Sequence, residues 1–302
     1  IGANARIQGK ARIADARIKD NVIICDDVHI GAFVKGSSIE ISGNVHISGN
    51  SFVNAGASIS GNAKIKGAEI NQARITGDVI IQNAIIGNKY YRGHEPEYVE
   101  LKNHAVISGA KIRESALIGG NARVEGKVLI TDNAEVTGNA YIHGTTTIRG
   151  MARITDDAEI NGKGYEYQPW VTIGETTVLN GSAYIEQTAD ILHITDITQK
   201  RSFTFYPDRN GEIQATSRTM PLNIQNESAA CEPTKPLPLS EFVKKVSEEF
   251  PEWVATGKTF YHQMGELAKA QIESQLTQRD NTDLSLSEDD LNELTNKKGQ
   301  EL

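Results

Sequence analysis

Aliphatic residues recur every six positions over long stretches of this chain, and this spacing constrains the fold more than any other feature. An unbroken run with this spacing comprises Ile118, Val124, Ile130, Val136, Ile142, Ile148, Ile154 and Ile160. An amphipathic helix repeats its apolar face every ~3.6 residues and a half-buried strand every ~2, so neither explains this period. The backbone must therefore change direction after each short strand.

Residues typical of turns lie between the aliphatic positions. The third and fourth positions of the repeat are often Gly-Asn, Asp-Asn or Asp-Asp, and the fifth is usually alanine. Gly and Asn tolerate the left-handed backbone region that a tight corner needs, so Gly61 is expected at a corner. Three short strands close a coil of about 18 residues, and stacked coils pair as parallel strands about 4.8 Å apart. Corner asparagines such as Asn44 and Asn62 are expected to form ladders of side-chain hydrogen bonds.

This pattern resembles the hexapeptide-repeat left-handed β-helix, the fold of a superfamily of bacterial acyltransferases. The resemblance covers residues 1–197 and implies an all-β fold, a left-handed parallel β-helix of about ten coils. A β-sandwich is the alternative, but its alternating strands would not keep so long a six-residue register. Proteins of this superfamily are commonly trimers, and outward apolar residues such as Phe52, Leu129 and Tyr141 favour a homotrimer here.

Two insertions interrupt the repeat, and four segments follow it. The insertions are residues 87–100 and 162–170; the later segments are a β-hairpin cap at 198–220, a proline-rich linker at 221–239, two helices within 240–278 and an acidic tail at 279–302. The hairpin is predicted from alternating residues around an Asn-Gly turn at 208–211. The stretches FTFYPDRNGEI and LSEFVKKV also resemble a group of bacterial and phage-encoded hexapeptide-repeat proteins.

Composition excludes several classes of partner. The net charge of −8 comes largely from the tail, because residues 280–302 hold 7 acidic and 2 basic side chains. No cluster of Lys and Arg with interleaved aromatic residues occurs, which argues against a nucleic-acid partner, and no apolar run is long enough to span a membrane. Cys25 and Cys231 do not imply a disulfide, so we expect a cytoplasmic or virion-associated protein. The chain begins within a repeat and without Met, so we expect a segment before Ile1.

The resemblance implies candidate catalytic histidines. Transferases of this fold commonly hold acetyl-CoA or acyl-CoA between protomers and use one histidine as general base. His94 is the first candidate, because it lies beside Glu95 in the first insertion. A solvated loop histidine is the alternative interpretation of His94.

His143 is the second candidate. Glu125 precedes it by 18 residues and occupies the same repeat position one coil away, so the two side chains should lie about 4.8 Å apart. The pair has a plain structural interpretation as well, a cross-strand contact like the one that the same arithmetic predicts for Glu135 and Arg153. No metal site is predicted, because the zinc enzymes of this fold use a closely spaced pair of histidines and no such pair occurs among the 7 histidines here.

Two functions remain open from the sequence. The first is a trimeric scaffold in a phage-derived or cellular assembly. This scaffold binds a protein, glycan or small molecule and uses no cofactor. Its predicted binding residues lie in the insertions: Tyr90, Tyr91, Arg92, Glu95, Tyr98, Tyr165, Tyr167 and Trp170. The second is a CoA-dependent O- or N-acyltransferase with an active site between protomers. The regularity of the repeat and the lack of a recognisable catalytic pair favour the scaffold.

Overall fold

The computed structural model describes residues 1–2, 4–31, 39–54, 56–87, 99–162, 171–196, 201–219, 234–249 and 265–277. Within these ranges strands are the main regular element, and most of them are short, parallel and arranged as an all-β parallel β-helix. Each strand pairs with the equivalent strands of the preceding and following coils. Three parallel ladders result, and we call them faces A, B and C.

The strands of each face follow one another along the rod. Face A holds β1 (Arg6–Ile7), β4 (Ile23–Ile24), β7 (His46–Ser48), β10 (Lys64–Lys66), β13 (Ile80–Gln82), β16 (Val106–Ser108), β19 (Arg123–Glu125), β22 (Tyr141–Ile148), β24 (Glu159–Gly162) and β27 (Tyr184–Ile185). Face B holds β2 (Arg12–Ile13), β5 (His29–Ile30), β8 (Phe52–Val53), β11 (Glu69–Ile70), β14 (Ile85–Ile86), β17 (Lys111–Ile112), β20 (Lys127–Ile130) and β25 (Val171–Ile173), with the second half of β22 between the last two. Face C holds β3 (Ala16–Ile18), β6 (Ile39–Ile41), β9 (Ser58–Ile59), β12 (Ala73–Ile75), β15 (Val99–Leu101), β18 (Leu117–Ile118), β21 (Glu135–Val136), β23 (Arg153–Ile154) and β26 (Val178–Leu179).

The register stacks aliphatic residues in the interior. Val136 pairs with Ile154, which pairs with Leu179, and all three are 0% exposed. The alanine two positions before a strand's aliphatic residue is buried as well, as at Ala134 and Ala152. Burial of these apolar side chains stabilises every coil, as the six-residue period predicts.

The corners use the left-handed backbone region, filled mostly by glycine or by an acidic residue and otherwise by Gln72, Asn83 and Asn103. Gly61 has φ +84° and Asp132 has φ 57°. At acidic corners the carboxylate accepts a hydrogen bond from the backbone N–H one coil further on: Asp132 Oδ2 from Gly150 at 2.7 Å, and Asp156 Oδ2 from Gly181 at 2.9 Å. These bonds offset the strain of a side chain at positive φ.

The predicted asparagine ladder is present on the outside of the rod. Asn44 Nδ2 donates to Asn62 Oδ1 at 3.0 Å, and Asn62 Nδ2 donates to Asp78 Oδ1 at 2.6 Å. A second ladder joins Asn121 to Asn139 at 2.9 Å. The ladders link adjacent coils at one corner, in addition to the backbone hydrogen bonds.

A four-stranded antiparallel sheet lies at the C-terminal end of the β-helix. Its strands, in order, are β28 (Leu192–Asp196), β29 (Arg201–Pro207), β30 (Ile213–Thr219) and β31 (Leu237–Pro238). The predicted hairpin is β29–β30, with the Gly211 N–H donating to the Asp208 carbonyl at 3.0 Å. The sheet, which we call the cap, is larger than predicted: β28 lies in the part assigned to the repeat, and β31 lies in the predicted linker.

The two sides of the cap contact different parts of the protein. Tyr206 is 0% exposed, packs into the interior of the β-helix, and donates its hydroxyl hydrogen to Asn180 Oδ1 at 2.5 Å. Burial raises the pKa of Tyr206 well above its ordinary value, so the hydroxyl stays protonated. Alternate residues Phe203 and Phe205 face away from the β-helix. They pack with Phe242 of α1 (Leu239–Glu249) and with a second helix at 265–277.

His193 of β28 joins the cap to the last coil. Its Nε2 lies 3.2 Å from Thr176 Oγ1, and its Nδ1 lies 3.1 Å from Thr204 Oγ1. Burial lowers the pKa of His193, and the charge of Glu175 opposes that shift. The imidazole therefore resists protonation in the folded protein.

We expect the free energy of unfolding to decrease as the pH falls below about 6.5, the ordinary pKa of histidine. The unfolded chain then binds a proton that the buried imidazole of His193 excludes, whereas above that pH both states leave the ring neutral. His193→Gln should weaken this pH dependence, because an amide does not titrate. Denaturant unfolding of both proteins at about pH 7.5 and about pH 5 measures the effect. An equal loss of stability in the two proteins would contradict the assignment to His193.

The structure does not describe the insertion residues 88–98 and 163–170 or the tail from 278 onward. In the described part of the chain, no helix is long and apolar enough to cross a membrane.

Candidate functional site

Of the predicted site residues, His143 and Glu125 lie in the described part of the structure. The others fall outside it, in the insertions: Tyr90, Tyr91, Arg92, His94, Glu95, Tyr98, Tyr165, Tyr167 and Trp170. Their roles stay predictions. The candidate site of the described structure is therefore centred on His143.

His143 and Glu125 both lie on the outer side of face A. Val124 of β19 pairs with Ile142 of β22, and both side chains are buried. Their neighbours point outward because side chains alternate along a strand. Glu125 and His143 therefore occupy equivalent positions one coil apart, where the sequence places them.

Glu125 is held by two neighbours on the same face. Its Oε1 accepts a hydrogen bond from Arg123 Nη2 at 2.7 Å, and its Oε2 accepts one from the Tyr141 hydroxyl at 3.1 Å. The hydrogen bond from Arg123 is the main cause of a lowered pKa for Glu125. The pKa of Tyr141 is raised mainly by burial and, to a smaller extent, by its hydrogen bond to Glu125. Both carboxylate oxygens of Glu125 are thus engaged.

The imidazole of His143 contacts Glu159 instead of Glu125. Its Nε2 lies 3.2 Å from Glu159 Oε1, and the two side chains are each 24% exposed. The ring stacks on Tyr141 with centroids 4.3 Å apart and an interplanar angle of 16°. The guanidinium carbon of Arg123 lies 5.0 Å from the centroid of Tyr141. The partner of His143 differs from the predicted one because Arg123 and Tyr141 already occupy Glu125.

A cap residue completes this arrangement. Arg209, in the turn between β29 and β30, places Nη2 3.4 Å from Glu159 Oε2 and donates to the Asp157 carbonyl at 3.2 Å. Sequence reasoning missed Glu159 and Arg209. The repeat register places Glu159 diagonally beside His143, whereas no spacing points to Arg209. The face A cluster consists of Arg123, Glu125, Tyr141, His143, Glu159 and Arg209.

The face A cluster lies next to the start of the second insertion. His143 pairs in register with Asn161, and Gly144 pairs with Gly162, after which the insertion begins. One coil, about 4.8 Å, separates His143 from that strand. The insertion therefore begins beside the imidazole.

The other described histidines make contacts typical of structural residues. The ring centroids of His29 and Phe52 are 6.0 Å apart, His46 Nε2 lies 3.4 Å from Cys25 Sγ, and His104 Nδ1 lies 3.2 Å from Asp78 Oδ2. Burial is the main cause of a raised pKa for Cys25, so its thiol stays protonated. Among the described residues, no group of three His, Cys, Asp or Glu side chains could hold a metal ion.

A cavity of about 460 Å³ lies between the β29–β30 turn and the two helices. Its lining includes Ile213 and Leu239 with Glu212, Lys269 and Glu273, and no residue of the face A cluster. The cavity therefore belongs to the C-terminal segment and is separate from the His143 arrangement.

The face A cluster offers a partly exposed imidazole with a carboxylate partner, a combination suited to accepting a proton from a hydroxyl or amine. A comparison with protein-family models and with curated protein sequences found no match.

Proposed function

We propose that this chain is a trimeric left-handed β-helix scaffold that binds a protein, glycan or small molecule beside face B. One observation supports this above all: both insertions leave the rod at the edges of face B. The first follows β14, which ends at Ile86, and the second precedes β25, which begins at Val171. Four steps of the ladder separate these strands, about 19 Å along the rod. The insertions thus flank one continuous sheet.

The sheet between them is a rigid platform. Its strands β17, β20 and β22 pair without a break, and the outward residues include Lys111, Leu129 and Thr147. Loops held on a rigid scaffold are a common arrangement for binding. The aromatic residues of the insertions, whose binding role is predicted from the sequence, would supply contact area for the ligand. The scaffold would serve a phage-derived or cellular assembly.

The mass of the protein in solution tests whether it forms a trimer. We expect light scattering to give about three times the chain mass of 32.9 kDa. Face A carries outward apolar residues such as Ile23, which is 37% exposed, and lateral packing through that face would bury them and leave face B open. A monomer at micromolar concentration would contradict this part of the proposal.

An acyltransferase is the second candidate, supported by the contact between His143 and Glu159 at the start of the second insertion. Its acyl donor would be acetyl-CoA or acyl-CoA, with His143 as the general base.

Calorimetry with acetyl-CoA distinguishes the two functions. The scaffold predicts no binding to the folded oligomer. The transferase predicts micromolar binding, together with release of the CoA thiol that is lost in His143→Ala and retained in the matched control His104→Ala, since the His104 side chain is exposed and paired with Asp78. Release of CoA that persists in His143→Ala would contradict the role of His143, and micromolar binding of acetyl-CoA would contradict the scaffold.

A further inference from the structure

The carboxylate of Glu159 lies between two positively polarised partners. Its Oε1 is 3.2 Å from Nε2 of His143, and its Oε2 is 3.4 Å from Nη2 of Arg209. The two partners come from different parts of the fold, since His143 is on β22 and Arg209 is in the cap turn. Glu159 thus connects the cap to the imidazole.

This contact determines which nitrogen of the neutral imidazole carries the hydrogen. An ionised carboxylate has acceptors and no donor, so a hydrogen bond to Glu159 requires the hydrogen on Nε2. The lone pair of the neutral ring is then on Nδ1. A bond to a charged acceptor is the stronger, charge-assisted kind and favours one tautomer.

Arg209 is held rigidly enough to orient Glu159. Its N–H donates to the Ser182 carbonyl at 3.1 Å, and its guanidinium donates to the Asp157 carbonyl at 3.2 Å. Within the same turn, Asp208 Oδ1 accepts hydrogen bonds from the backbone N–H groups of Asn210 at 2.8 Å and Glu212 at 2.9 Å. The Arg209 side chain is 52% exposed, and an ion pair this exposed contributes little to folding stability. Orientation of Glu159 is the role that its geometry supports.

We infer that Arg209 is a positioning residue: through Glu159 it holds the hydrogen of neutral His143 on Nε2 and leaves Nδ1 as the basic nitrogen. This inference rests on the second function proposed above, acyl transfer from a thioester. In that reaction Nδ1 takes the proton of a hydroxyl or amine as its oxygen or nitrogen bonds to the thioester carbonyl carbon. The carbon–sulfur bond then breaks, and the imidazolium returns the proton to the thiolate.

The tautomer ratio of His143, measured by nitrogen NMR on the full-length labelled protein, tests the inference without any turnover. We expect the Nε2–H form to predominate in the unsubstituted protein. Glu159→Gln should lower the ratio of the Nε2–H form to the Nδ1–H form by about tenfold, because the charge-assisted hydrogen bond is lost. Arg209→Gln should give a ratio between those of the unsubstituted protein and Glu159→Gln. Arg209→Lys should restore the ratio of the unsubstituted protein.

Arg153→Gln is the matched control. Arg153 Nε lies 3.1 Å from Glu135 Oε2 on face C, so the substitution removes an Arg–Glu ion pair, less exposed than that of Arg209, away from His143. The ratio should not change in this variant. Glu159→Gln keeps every cap residue, so it tests the contact between Glu159 and His143 even if Arg209→Gln disturbs the turn, and the rescue by Arg209→Lys tests the role of Arg209.

Two results would overturn the inference: an Nδ1–H form that predominates in the unsubstituted protein, or a ratio that is unchanged in either Arg209→Gln or Glu159→Gln. Failure of the proposed transferase function is a separate result, because absent acetyl-CoA binding leaves the predicted tautomer ratio unaffected.

Discussion

Replacement of Gly61 by valine is expected to lower the free energy of unfolding by about 3 kcal/mol or more. Gly61 has φ +84°, and a Cβ there would lie 2.6 Å from both the nitrogen and the oxygen of Gly77 one coil on. These are backbone atoms of a hydrogen-bonded ladder, so they cannot move aside without disturbing the next coil. A β-branched side chain adds further strain at positive φ. Denaturant unfolding measures the effect.

Gly119→Ala is the control for this substitution. Gly119 is not in the left-handed region, and its new Cβ would meet the flexible side chain of Lys102 at 3.1 Å. We expect a change below about 1 kcal/mol. A similarly small change in Gly61→Val would show that the corner assignment is wrong.

Truncation of Tyr206 to alanine is expected to cost about 4 kcal/mol, as for other large buried side chains. Tyr206 is the cap side chain that fills the end of the β-helix interior, and its loss would leave a cavity against the last coil. It would also leave the buried Oδ1 of Asn180 without its hydroxyl donor. We expect the amides of β29 and β30 to lose protection from hydrogen exchange before those of the central coils.

Tyr206→Phe separates the two contributions. Phenylalanine keeps the packing and removes the hydroxyl, so the expected loss is about 1–2 kcal/mol. Equal effects of the two substitutions would mean that packing at this position does not hold the cap on the β-helix.

The repeating part of the fold could be predicted because its geometry is local and periodic. A coil of about 18 residues predicts which side chains stack. The contacts of Asn44 with Asn62 at 3.0 Å and of Glu135 with Arg153 at 3.1 Å confirm that residues 18 positions apart stack in adjacent coils. The same arithmetic places Glu125 beside His143, but it does not show which of several adjacent carboxylates the imidazole contacts. That choice depends on the hydrogen bonds that Arg123 and Tyr141 make.

The cap could be predicted only in part. The hairpin has a local signal, the turn that contains Asn210 and Gly211, whereas β28 and β31 join the sheet through pairing with β29 and β30. Short strands at the edges of a sheet depend on that long-range pairing, which a sequence pattern does not encode. Arg209 was missed for the same reason, since its contact with Glu159 spans the boundary between two architectures.

The length of the rod is open to change by gain or loss of whole coils, because each coil contacts only its neighbours. A coil duplicated before residue 118 would leave the face A cluster intact. A coil duplicated between Glu159 and the cap would move Arg209 about 4.8 Å further from its carboxylate partner. In evolutionary terms, the N-terminal part of the rod is free to vary in length, whereas the coils from β19 onward and the cap must be inherited as one unit for the cluster to persist.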